Sequence, residues 1–390
     1  MERKAYFSTV REQGKGKRIL VYGAGDYGKK IAALLGGEGI SVEGFVVTQM
    51  THNREMIHHL PVRLFSNLLH EKDQILFLVG VKKQSQAGLV ESLESSGVRN
   101  YLLPPAHLSE LTNDLLTRHA IEITPKAGCS VHCRYCPQDL FLQRYFSEDR
   151  QAEMTFEEFR AYLFKLPQDT VIDFAGFVEP FLAKDGVKMV RYAHESGHEV
   201  RLFTTLVGLD LTSFHEIEDI PFSLVVLHLP DVHGYARIPV TDAYLELLRY
   251  VVDKKRPDGE PFVDMANCQD APDPRVTDII GHQIQISWEL IDRAGNLGDE
   301  ELRHGGLGQV GEADACYCER SLPLCHNVLL PSGDVVLCCN DFGMRHVLGN
   351  LKQQTYEEIM QGEELMHIRK ALRTGAHQTL CEKCTSLKRF

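Results

Sequence analysis

Short apolar runs alternate with amphipathic stretches along most of this chain, in two successive blocks and then a third of different character. In the first block, roughly residues 17–105, Ile19–Tyr22 reads as a short buried strand followed by a helical pattern through Leu35. Further strands fit Val42–Val47 and Gln74–Val79, and Ser85–Ser95 has helical spacing. Strands alternating with helices imply a parallel sheet covered by helices. The second block, about 118–295, repeats the alternation on a larger scale. Strands are expected at Ala120–Thr124, Val171–Phe174, Glu199–Phe203, Ser223–His228, Phe262–Ala266 and Gln283–Ser287. Helices are expected at Phe156–Lys165, Gly186–Glu195 and Asp242–Asp253. Six strand–helix units predict an open or incomplete (β/α) barrel, with functional residues at the C-terminal strand ends. The third block, about 312–390, carries a hairpin signal: Asn327–Leu330, a turn over 331–334, then Val335–Leu337. A helix is expected there from Thr355 to Arg373.

Composition narrows the picture. A chain of 390 residues, 43% hydrophobic and 25% charged, has the make-up of a globular protein of two or three domains. The polar opening, Met1 to Arg18, does not read as a signal peptide, and no apolar run approaches the roughly 20 residues a membrane span needs. A cytoplasmic protein without a membrane partner is the expectation. A net charge of −12 argues against nucleic acid, whose phosphates call for clustered Lys and Arg.

The cysteines change the picture most. Of 11, three fall at 129–136 and seven at 316–384, with Cys268 alone between them. A disulfide scaffold would belong to a short secreted chain, so reduced, metal-binding thiols are the better reading. Cys129, Cys133 and Cys136 follow the strand at 120–124 with C-x3-C-x2-C spacing. Three thiolates can hold three irons of a four-iron cube and leave the fourth iron open. An open position marks catalytic metal sites, whereas a zinc site more often pairs two C-x2-C elements.

With Tyr135 before its last cysteine, this loop resembles the signature of the radical SAM superfamily. The resemblance implies a [4Fe–4S] cluster that binds S-adenosylmethionine and cleaves it reductively to a 5′-deoxyadenosyl radical. The stretch from Asp173 to Pro180 is similar to that family's Gly-Gly-Glu-Pro element, with Val178 where the family has glycine before the acid. By that likeness Gly176 and Glu179 receive the methionyl ammonium, a pairing that suits a carboxylate. Thr204 and Thr205 end the third strand, where the family places groups near the cofactor. Asp231 and His228, at the end of the fourth, are expected to reach ribose hydroxyls or substrate. A loop at 293–296, with Arg293 and Asn296, is a further candidate for substrate contact.

The later cysteines resemble the auxiliary-cluster extension of such enzymes, of SPASM type in its shorter one-cluster twitch form. The likeness rests on the hairpin with Gly333 and Cys338, on Cys339 and Asp341, on Gly349 to Leu351, and on the closing pair Cys381 and Cys384. It implies one auxiliary [4Fe–4S] cluster held by Cys318, Cys338, Cys381 and Cys384, with Cys316 and then Cys325 as alternatives for the first ligand. A zinc ribbon is the competing reading.

Gly23, Gly25 and Gly28 form a Gly-x-Gly-x-x-Gly loop between a strand and a helix, the context of a dinucleotide-binding fingerprint. The next strand ends at Val47 and Thr48 without the acid that holds an NAD ribose. A Rossmann-like nucleotide-binding domain over 1–112, a partial (β/α)6 TIM-like barrel over 113–300 and a Cys-rich α+β extension over 301–390 are therefore expected. The function implied is oxidation of a small-molecule substrate, a carbohydrate or nucleotide-linked sugar, with a flavodoxin or ferredoxin as electron donor. The alternatives are a radical epimerase using Cys268 as hydrogen donor, a peptide-modifying enzyme, and a non-catalytic Fe–S or zinc protein.

Overall fold

The computed structural model describes residues 3–37, 39–50, 56–57, 60–81, 83–104, 119–256, 259–281, 284–287, 292–297, 316–318, 320–321, 324–374 and 378–389. The fold is mixed α/β, built on two large sheets. The first contains β1 (Arg18–Tyr22), β2 (Gly44–Val47), β3 (Met56–Ile57), β4 (Leu60–Leu64), β5 (Ile75–Val79) and β6 (Tyr101–Leu102), in the order β3-β4-β2-β1-β5-β6. Every pairing is parallel except β3 with β4. The chain winds outward from β1 in one direction and then from β5 in the other, so the order reverses beside β1.

Burial explains the unbroken apolar strands. On β1, Ile19 and Val21 pack into one cluster while Leu20 and Tyr22 pack into another, and β5 divides in the same alternating way. Both faces are covered, as parallel sheets require. One cover is a helix at Arg3–Gln13, which buries Tyr6, Phe7 and Val10 against the sheet. The polar composition of that segment concealed its three-residue apolar stripe.

The second sheet begins with β7 (Ala120–Ile123), β8 (Val171–Phe174), β9 (Val200–Thr204), β10 (Leu224–His228), β11 (Met265–Asn267) and β12 (Ile286–Ser287), all parallel and in sequential order. The helices Phe156–Phe164, Gly186–Glu195 and Asp242–Asp253 lie between them, the first started by a capping box at Thr155 and Glu158. β11 starts later than expected, because Phe262 and Val263 are buried in a loop instead of pairing as a strand.

The same sheet continues through β14 (His326–Leu329), β15 (Asp334–Val336) and β16 (Val347–Asn350). β14 pairs parallel with β7, so the Cys-rich hairpin extends the sheet instead of standing apart. β13 (Cys316–Cys318) pairs antiparallel with β17 (Leu387–Arg389), which draws the last residues back to the start of the Cys-rich segment. The helix expected at 355–373 is two helices, Tyr356–Met360 and Glu363–Thr374. The break falls at Gln361 and Gly362, where a Cβ on Gly362 would lie 3.1 Å from the Ile359 carbonyl oxygen.

Candidate functional site

The loop after β7 turns through two left-handed residues, Gly128 at φ 101° and His132 at φ 48°. This curl brings Cys129, Cys133 and Cys136 to one wall of a cavity of about 450 Å³ at the C-terminal ends of the strands. Tyr135 lines the same wall, 8% exposed. Burial pushes the Cys133 thiol up to about 12 and raises Cys136 as well. Such thiols ionise readily only against a cation that replaces the proton. Gln138 donates from Nε2 to the Cys136 sulfur at 3.3 Å, and its buried Oε1 has no hydrogen-bond partner among the described residues. These side chains fit a metal cluster held through three sulfurs.

Opposite the loop, the end of β8 supplies Gly176 and Glu179, both on the cavity wall. Gly176 has φ 75°, and a Cβ there would fall 2.2 Å from Thr124 Oγ1, so no other residue fits. Glu179 accepts from Thr204 Oγ1 at 2.8 Å, Thr205 Oγ1 at 2.7 Å and the Thr205 amide at 2.6 Å. Burial outweighs those bonds and raises its carboxyl to about 7. Thr205 lines the cavity while Thr204 does not, so Thr204 acts by orienting Glu179. His228 also lines the cavity, and burial lowers it to about 4, leaving a neutral imidazole. Arg293, at φ 51°, completes this side with its guanidinium 5.7 Å from the Phe342 ring centre.

Besides Thr204, three expected site residues lie off this cavity wall: Asp231, Cys268 and Asn296, the last donating from Nδ2 to the Arg293 carbonyl oxygen at 2.7 Å. Asp231 accepts from the amides of His233, Tyr235 and Ala236 at 2.8–3.0 Å, and it does not line the cavity. Its carboxylate ties down its own loop. Cys268 is 1% exposed, with its sulfur 3.8 Å from the Leu229 carbonyl oxygen and off the cavity wall. A thiol there packs as a small apolar group.

The cavity floor carries a row of charges that the sequence reading passed over. Glu122 on β7, Asp173 on β8 and Arg201 on β9 stand in register across three strands. All three are buried and line the cavity, with His326 from β14 beside them. Arg201 forms a bidentate pair with Asp173, and His326 Nε2 lies 3.0 Å from Asp173 and 3.5 Å from Glu122. Burial would raise the Asp173 carboxyl, but Arg201 and His326 together hold it below the ordinary range. A single charge inside each of three apolar strands was the available signal, since buried ionised groups need partners.

Behind this floor, Cys318, Cys338, Cys381 and Cys384 line a second cavity together with Cys339. Burial raises all four of the first-named thiols. Asn340 donates to the Cys384 sulfur at 3.5 Å, and its buried Oδ1 is unpartnered among the described residues. Cys316 and Cys325 do not line this cavity; Cys325 is buried with its sulfur 3.7 Å from the Ser321 hydroxyl. Cys316 and Cys318 share one face of β13, so only their position along the strand separates them.

Residues 318–385 match SPASM, an iron–sulfur cluster-binding domain. The expected SPASM-type extension is met over this stretch, and Cys318, Cys338, Cys381 and Cys384 fall within it. No curated protein sequence matches the chain. Among solved structures, it is similar to BtrN in complex with AdoMet and 2-DOIA, at 17% identity over 69% of this chain and 93% of that one, with a TM-score of 0.46. It is also similar to Streptococcus suis SuiB bound to precursor peptide SuiA, at 14% identity, 76% and 74% coverage and a TM-score of 0.41. A third is anSMEcpe with bound AdoMet and Cp18Cys peptide, at 15% identity, 68% and 86% coverage and a TM-score of 0.39.

In the amino-terminal sheet, a Cβ on Gly28 would meet the Gly23 carbonyl oxygen at 1.8 Å, and one on Gly23 the Gly80 carbonyl oxygen at 2.3 Å. Those two glycines close the turn. Gly25 faces open space, and Thr48, at the end of β2, contacts the Tyr22 hydroxyl at 3.3 Å.

Proposed function

We propose that the chain is a radical SAM oxidoreductase acting on a small polar substrate, a carbohydrate or nucleotide-linked sugar. The observation that carries the reading is the juxtaposition of the two thiol sets. The three-cysteine cavity and the four-cysteine cavity share a wall made of Arg320, His326 and Cys339. Cys129, Cys133 and Cys136 would hold a cluster with one open iron, and Cys318, Cys338, Cys381 and Cys384 a closed one. When bound, the open cluster and S-adenosylmethionine supply a 5′-deoxyadenosyl radical. Glu179, steadied by both threonines, would receive the methionyl ammonium, and Tyr135 and Gly176 would border the cofactor.

The charged floor at Glu122, Asp173, Arg201 and His326 supports a hydroxylated or amino substrate, since such groups satisfy buried acceptors and donors that an apolar molecule would leave unpaired. A second cavity with four thiols suits an electron acceptor, which favours net oxidation over epimerisation. Cys268, off the cavity wall, gives no support to the epimerase reading. The strands β7 to β12 would form an incomplete barrel around this chemistry, and Gly25 would admit a phosphate in the amino-terminal sheet.

Anaerobic reconstitution tests the reading. About eight irons per chain are expected, with dithionite-dependent release of 5′-deoxyadenosine. Deuterium from a labelled nucleotide sugar should then appear in that 5′-deoxyadenosine. Replacing Cys129, Cys133 and Cys136 by Ala should leave about four irons and no cleavage. Stoichiometric zinc without cleavage would end the proposal.

A further inference from the structure

We propose that Arg320 sets the reduction potential of the auxiliary cluster, shifting it upward through a fixed positive charge. The inference rests on the reading above that Cys318, Cys338, Cys381 and Cys384 hold that cluster. Arg320 stands in the wall common to both cavities. Its Nη1 donates to the Cys339 sulfur at 3.3 Å, and its charge acts on Cys339, Glu122, Cys338 and Cys318. Two of those four groups, Cys318 and Cys338, are members of the proposed ligand set, and Cys339 directly follows Cys338.

Among the described residues, Glu122 is a carboxylate whose charge bears on Arg320. Asp173 is taken up by Arg201 in a bidentate pair, with His326 on its other side. Glu122 accepts the Gly176 amide at 3.1 Å and lies near both Arg320 and His326. A guanidinium stays charged at every working pH. A cluster with four thiolates is anionic and gains one more negative charge on reduction, so a nearby half-buried cation favours the reduced form. Asn340, which donates to Cys384, acts in the same direction through a neutral hydrogen bond. Arg320 is thus a positioning residue of the electron acceptor, and Glu122 its opposing charge.

The test uses the full chain with Cys129, Cys133 and Cys136 replaced by Ala, reconstituted so that only the auxiliary cluster remains. The midpoint potential is read by a redox titration followed by electron paramagnetic resonance. Arg320→Gln should lower the one-electron reduction equilibrium at least tenfold, a fall of about 59 mV, with iron content unchanged. Arg320→Lys should restore most of the potential, and Glu122→Gln should move it upward. A cluster of full iron content and unaltered potential in Arg320→Gln would overturn the proposal. Should Arg320→Gln fail to assemble, Glu122→Gln decides: a rise supports the role, and no change sinks it. A triple variant that binds no iron would instead remove the two-cluster reading, and the proposal with it.

Discussion

Glu179 shows how a single side chain is set by its surroundings. Its carboxyl is buried among two threonine hydroxyls and two amides, and burial still wins, raising it to about 7 from an ordinary value near 4.3. Between those two values the folded chain holds a proton that the unfolded chain has released. This contribution to stability is therefore complete below about pH 4 and is lost as pH rises through 7. An ammonium ligand reverses the preference, because it binds the ionised form. S-adenosylmethionine affinity should strengthen from about pH 6 to 7.5, and Glu179→Gln should flatten the profile, as isothermal titration would show. Asp231 is the contrasting acid. Asp231→Ala removes the acceptor for three backbone amides, so it should cost about 1–3 kcal/mol in denaturant unfolding and leave cofactor affinity unchanged. Altered affinity at wild-type stability would return Asp231 to the site.

Neighbouring strands decide what a lone charge means. Read along one strand, Glu122 is an acid in a four-residue apolar run, and Asp173 and Arg201 look equally misplaced. Parallel pairing in register lays the three side by side, and the Asp173–Arg201 pair forms across adjacent strands. Asp173→Asn would leave Arg201 buried without its counter-ion, at a cost of about 3–5 kcal/mol. Urea unfolding of the iron-free chain measures it, and a loss below about 1 kcal/mol would mean that solvent reaches the pair. The short helices 356–360 and 363–374 make the complementary point. Helical periodicity carries through Gly362, yet the Gly362 amide donates to the Ile359 carbonyl oxygen at 3.0 Å in a tighter turn, and the helix restarts at Glu363.

For the molecule as a whole, the consequential pairing is β14 on β7. It places the segment that matches SPASM against the strand that feeds the three-cysteine loop, and so sets the two thiol cavities wall to wall. It also covers an apolar edge, since Ala120, Ile121 and Ile123 are all buried. A chain ending at residue 311 would expose that edge and should aggregate, visible as high-mass species in light scattering. A monodisperse truncated chain that still binds four irons would show that the edge needs no partner.

The sequence by itself located most of the elements and both sets of thiols. Alternating apolar runs located β1, β5 and β7 to β10 within a few residues, and the cysteine spacings picked out both thiol sets, because periodicity and spacing are local properties of the chain. Tertiary structure decided which residues meet. Register gathered Glu122, Asp173, Arg201 and His326, whose sequence separations reach 204 positions, and strand position put Cys318 but not Cys316 on the wall of the second cavity. It also turned Asp231 and Cys268 away from the cavity, since the direction of a side chain at a strand end depends on the loop that follows. The common wall at Arg320, His326 and Cys339 had no local signature, because its three residues gain their meaning from the two cavities on either side.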